Sequence, residues 1–144
     1  MPFTLLKLAY DLRIKVEYWD LIPPVRGIYV YEPGLPPVIG LAHDLLGNRR
    51  EFRTVLGEEI GHHVTTVGSC LPCVHYHYSD RVNISRAEYR ALRWAANYLM
   101  PEDKLLQAFR RGITEIWELA ECFDVTEDMV RFRLKSLLVR AKYA

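Results

Sequence analysis

The hydrophobic spacing of this chain changes character at about Asn48, and that change limits what it can fold into. Before it, apolar residues alternate or fall in short runs broken by Pro and Gly. After it, they recur at helical spacing. The pattern predicts an α+β fold, with a small antiparallel sheet first and a helical bundle after it. "FTLLKLAYDL" (3–12) reads as a short amphipathic helix and "IKVEYWDL" (14–21) as a strand. "RGIYVYEPGLPPVIGLAH" (26–43) reads as two short strands around a Pro/Gly turn. "RREFRTVLGEEIGHHVTTV" (49–67) is a helix in which Gly61 costs roughly 1 kcal/mol against alanine, with Gly68 as its stop. "SCLPCVHYHYSDRV" (69–82) reads as a polar and aromatic loop.

The clearest helical segment is "NISRAEYRALRWAANYLM" (83–100), where Ile84, Ala87, Ala91, Trp94, Ala95 and Tyr98 share one side. Pro101 ends it or opens the next helix, "PEDKLLQAFRRG". "TEIWELAECFDV" and "TEDMVRFRLKSLLVRAKYA" form two more, joined by a short turn. No repeat or linker divides the chain, so the expectation is one domain over 1–144. Its parts are an N-terminal helix and sheet (1–45), central helices (46–100) and C-terminal helices (101–144).

Composition narrows the classes further. Of 144 residues, 50% are hydrophobic and 26% charged, which suits a single globular domain able to bury a core without staples. A net charge of +1 argues neither for nor against nucleic acid. No apolar run reaches transmembrane length, and the N-terminus lacks the basic head of a signal peptide, so no membrane contact is expected. The three cysteines, Cys70, Cys73 and Cys122, are an odd number, which suggests a reducing cytoplasm.

The chemistry centres on "LGEEIGHHVTTVG" (56–68). At about 100° per residue, Glu58 and His62 lie roughly 40° apart on one helix face, the i, i+4 spacing by which two side chains hold one metal. Glu59 falls in the sector of Phe52, Val55 and His63, where a carboxylate is costly unless paired or put to use. The plain alternative is an acidic turn on a solvated helix with two surface histidines. Glu88 should point inward beside Ala91 and Ala95 and is the best third ligand by pattern. "Ser85-Arg86-Ala87-Glu88" also fits a capping box, in which Glu88 only closes a helix start.

Cys70, Cys73, His75 and His77 are four soft or borderline ligands in eight residues and a candidate second metal site. Their spacing does not fit a zinc finger, and no helix follows as a redox Cys-x-x-Cys needs; incidental loop residues are the alternative. His43 reads as a loop or helix-start residue. The tail has the form of a helix-turn-helix, with Arg131, Arg133, Lys135, Arg140 and Lys142 as basic residues for DNA contact. The alternative is a solvated basic face on an amphipathic helix, since nothing aims these side chains at base edges.

The order of "VLGEEIGHHVTTVG", "YSDRVNISRAEYRALRWAANYLMP" and "FDVTEDMVRFRL" resembles the ImmA/IrrE family of metallopeptidases, often carried by phages and mobile elements. The resemblance covers roughly residues 20 to 137. It implies a zincin-like core whose motif helix faces a small sheet. Carried over residue by residue, Glu59 is the general base, while His62 and Glu88 are ligands of a zinc or other divalent ion. Glu58 stands where the family's first histidine ligand would be. Phage-type members often have glutamate there, which implies a subgroup and not a dead enzyme. The implied activity is zinc-assisted cleavage of a helix-turn-helix repressor, which derepresses mobile-element or stress genes. The rival is a non-catalytic module that keeps the fold and binds repressor or DNA.

Overall fold

The computed structural model of the chain describes residues 2–65, 73–76 and 85–143. Helix α1 (Pro2–Asp11) leads into strands β1 (Lys15–Trp19), β2 (Val25–Val30) and β3 (Val38–Ala42), then a 3-10 turn (His43–Gly47). Helix α2 (Arg49–Thr65), strand β4 (Cys73–Tyr76) and helices α3 (Arg86–Leu99), α4 (Glu102–Arg110), α5 (Ile116–Phe123) and α6 (Glu127–Tyr143) follow. The α+β expectation holds. Among the described residues no helix is long and apolar enough to cross a membrane.

The hairpin β2–β3 forms where the sequence offers a turn. Leu35 N–H donates to the Glu32 carbonyl at 3.1 Å, Pro33 occupies the second position, and Gly34 at φ 88° takes the third. That is the residue order of a type II turn, whose third position needs positive φ.

The sheet runs in the order β1-β3-β2-β4. It departs from the antiparallel expectation in one pair: β1 lies parallel to β3, from Lys15 opposite Val38 to Trp19 opposite Ala42. The other edge of β2 is taken by β4, so β1 joins the open edge of β3. The link through Pro23 and Pro24 also lacks the N–H groups a tight β1–β2 hairpin would use. Alternation in a sequence marks a strand but not its direction.

Strand β4 is a second correction. Part of the supposed loop 69–82 pairs antiparallel with β2, from Tyr29 opposite Cys73 to Val25 opposite Tyr76, with an irregularity between Val25 and Gly27. Four residues were too few for their pattern to stand out in an aromatic, polar stretch.

Helix α2 runs through the centre of the molecule, and every residue from Phe52 to His62 except the half-buried Thr54 is buried. One stripe faces the sheet. Phe52 stacks near Tyr18 (ring centroids 6.4 Å), and His63 meets Tyr29 of β2 edge-on at 5.8 Å. A second stripe faces α3, which runs antiparallel to it: a side chain at Gly57 would meet Leu99 and Ala95, and one at Gly61 would meet Ala91. A Cβ on Gly61 would lie 2.4 Å from the Ala91 carbonyl oxygen, an impossible contact. The helix propensity lost at Gly61 is therefore offset by close backbone approach. Helix α3 buries Ala91, Leu92, Ala95, Ala96 and Leu99. Trp94 and Tyr98 sit at its flank and stack on each other at 5.2 Å.

The C-terminal pair α5–α6, joined through Asp124, Val125 and Thr126, is fastened to α2. Arg53 Nε donates to the Asp124 carbonyl at 3.0 Å, Arg49 Nε lies 2.6 Å from its carboxylate, and the Thr54 hydroxyl accepts from Thr126 N–H at 3.4 Å. Three of the five tail cations have roles within the fold. Arg133 is buried and donates to the Met100 carbonyl at 2.9 Å, Arg131 pairs with Glu127 and Asp128, and Arg140 pairs with Glu102.

The two glycines of α2 should respond differently to alanine. At Gly57 the nearest atom is the flexible end of Leu99 at 3.3 Å, so the gain in helix propensity should roughly cancel the crowding. At Gly61 the obstacle is backbone, and the variant should lose about 1–3 kcal/mol. Urea unfolding of Gly57→Ala and Gly61→Ala checks this; a Gly61→Ala variant as stable as Gly57→Ala would refute the close approach.

Candidate active site

The stripe of α2 between its α3-facing glycines and its sheet-facing residues carries Glu58 and His62. By helical rotation, these two project along the groove between α3 and the sheet. Glu58 is 1% exposed and His62 also 1%. The solvated-helix reading of this segment is therefore overturned. Burying two carboxylates and an imidazole in one helix turn is costly unless their charges are put to use.

Glu59 takes the neighbouring position, on the sheet side, as its apolar stripe predicted. It is fully buried. Its Oε1 lies 3.3 Å from the point where a Gly27 side chain would begin, and its Cγ is equally close. Val55 lies 3.0 Å from the same point. Gly27 thus lets β2 come down onto Glu59, and a side chain there would crowd both Val55 and the carboxylate. His63, one helical turn on, bonds through Nδ1 to the Tyr29 hydroxyl at 2.8 Å. Burial lowers the His63 pKa, which favours the neutral ring.

The turn of α3 that carries Glu88 lies beside the last turns of α2. The Gly61–Ala91 contact and the antiparallel run of the helices place it there. Leu92, one turn after Glu88, lines a cavity of about 30 Å³ together with Glu58, Arg26, Thr126, Met129 and Phe132. That is room for about two waters. Arg26 ties this end of β2 to the neighbouring segments, with Nε 2.7 Å from Glu51 and Nη1 2.9 Å from Asp44. The Ser85 hydroxyl accepts from Glu88 N–H at 3.1 Å, so Ser85 is a true N-cap. The cap uses the Glu88 backbone, and the half-buried carboxylate belongs to a separate question.

A family model for the IrrE N-terminal-like domain, peptidase M78, matches residues 12–135. The chain belongs to this peptidase family. No curated protein matches it. The match takes in the whole sheet and α2 to α5, with much of α6. Membership in peptidase M78 brings a metallopeptidase type of function and a divalent metal. The donor chemistry fits such an ion: carboxylate oxygens and imidazole nitrogen are zinc ligands, and here Glu58 and His62 are buried on α2 while Glu88 is half-buried on α3. Among the described residues, no three His, Cys, Asp or Glu side chains converge closely enough to hold a metal in this structure.

Of the second candidate set, Cys70 and His77 lie outside the described residues. Cys73 and His75 fall in β4, opposite Tyr29 and Gly27. His43 opens the 3-10 turn and pairs with Asp20 at 3.3 Å. Sequence reasoning passed over Gly27, although a glycine inside a strand signals a close backbone approach. It also passed over Arg26 and the Thr54–Thr126 clasp, for which no local pattern exists.

The cap and the carboxylate at the start of α3 are separable. Ser85→Ala should cost about 1 kcal/mol of stability. Glu88→Gln, which keeps the capped N–H, should cost well under half of that. Chemical denaturation of the two variants without metal checks the split, and equal losses would tie Glu88 to the cap after all.

Proposed function

We propose that this chain is a zinc-dependent endopeptidase that cleaves a helix-turn-helix transcriptional repressor and so releases mobile-element or stress genes. The observation that carries the reading is the burial of Glu58, Glu59 and His62 on one helix of a peptidase M78 chain, with Glu59 against Gly27 of the sheet. A repressor as substrate rests on the family resemblance. A peptide as substrate has physical support too. Strand β4 is one of the two outer strands of the sheet among the described residues, and an extended peptide can add to such an edge.

Glu58, His62 and Glu88 are the residues that would hold the ion. When bound, a divalent cation supplies Lewis-acid polarisation of the scissile carbonyl. Glu59 does the proton work: one carboxylate oxygen takes a proton from the attacking water. It then returns that proton to the amide nitrogen as the C–N bond breaks. Its seat against the sheet fixes where that oxygen sits. The Tyr29–His63 pair lies on the same side of α2 and braces the turn after Glu59.

Glu59→Gln should abolish repressor cleavage, a loss of about 10²–10⁴-fold or more, while leaving bound zinc and the unfolding midpoint close to wild type. Cleavage at the wild-type rate by this variant would end the proposed mechanism. Purified protein should carry one zinc equivalent by mass spectrometry of the metal. Glu58→Ala and His62→Ala should each lose most of it, and Glu58→His should retain it. Full zinc content in Glu58→Ala would remove Glu58 from the ligand set.

A further inference from the structure

On the side of α2 turned away from His62, a cleft of about 410 Å³ opens between α2, α4 and α5. Its polar wall is cationic: Arg53 of α2, Lys104 of α4 and Arg111 just after α4. Asp124 is the one acid in that wall, and its carboxylate is already engaged by Arg49 at 2.6 Å and Arg50 at 3.7 Å. Lys104 and Arg111 have no ion pair among the described residues.

Arg53 is the telling residue. It is 7% exposed, and its Nε is satisfied by the Asp124 carbonyl at 3.0 Å. Its Nη1 is buried with no hydrogen-bond partner. A charged donor left unpaired in the interior is among the more costly arrangements a fold can hold. Burial lowers the Arg53 pKa, and the nearby Asp124 offsets this only in part. A guanidinium in this position wants an anionic oxygen, and phosphate matches its geometry. Apart from Gln107 and Cys122, the other walls, including Leu99 and Phe123, are apolar. A bare oxyanion would leave most of the volume empty, whereas clefts of roughly 300–1,000 Å³ suit organic ligands.

We infer that this cleft binds a small organic phosphate, with the phosphate on Arg53, Lys104 and Arg111 and an apolar body against Leu99 and Phe123. The site is distinct from the groove of Glu58 and His62, about half a turn around the same helix. Ligand and repressor therefore engage opposite faces of α2, and the inference stands whether or not the chain cleaves a repressor.

Calorimetric titration of the full chain with phenyl phosphate, inorganic phosphate and phenol at fixed ionic strength tests it. Saturable binding of phenyl phosphate is expected, about tenfold or more tighter than inorganic phosphate. The ligand should raise the melting temperature as it saturates, because it binds only the folded state. Lys104 and Arg111 are exposed, so Lys104→Gln combined with Arg111→Gln should fold and weaken binding about tenfold or more. The charge-matched control Lys15→Gln with Lys135→Gln should bind like wild type. No saturable binding, or equal affinity in the two double variants, would overturn the site.

Discussion

The near-contact of α2 with α3 at Gly57 and Gly61 governs the rest of the architecture. With no Cβ at those positions, the two helices approach until the Ala91 carbonyl occupies the space a side chain would need. That closeness decides what each remaining face of α2 can do. Val55, Glu59 and His63 are turned onto β2, and Glu58 and His62 into the groove between. Arg53 is left to the back, where α5 and α6 are fastened. A bulkier residue at Gly61 would therefore shift more than one interface. It would move the stripe that bears Glu58 and His62 relative to the helix that bears Glu88.

The core divides its polar content unevenly. Helix α2 buries Arg53, Glu58, Glu59 and His62, while the other described helices contribute mainly aliphatic side chains to the interior, Arg133 of α6 excepted. Buried charge is a poor source of stability, so the aliphatic core around it must carry the fold. Leu45, Leu56, Ile60, Leu92, Leu99 and Met129 all belong to that core. The arrangement is what an enzyme requires: a stable shell around one helix whose chemistry costs stability.

Much of this was legible in the sequence. The helices from 49 onward announced themselves by spacing, Pro101 by its chemistry, and the β2–β3 turn by Glu32-Pro33-Gly34-Leu35. The inward position of Glu59 followed from its apolar neighbours Phe52 and Val55. What the sequence hid has physical causes. Strand direction is set by which edge remains open, so the parallel β1–β3 pair had no local signature. Strand β4 was too short to stand out. The burial of Glu58 and His62 was masked because α2 is covered on nearly every side, and such a helix has no polar face to define its orientation. The tail cations suggested DNA by type alone; only tertiary structure could reveal that Arg133 serves the Met100 carbonyl.

Gly27 has a consequence for precision. A carboxylate positioned by another side chain inherits the rotameric freedom of both partners. Glu59 instead rests against strand backbone, which is tied by ladder hydrogen bonds to strands on both sides. Its placement error is then that of the sheet, not of a flexible side chain. The missing methyl group of one residue serves as a mechanical datum for the Glu59 carboxylate.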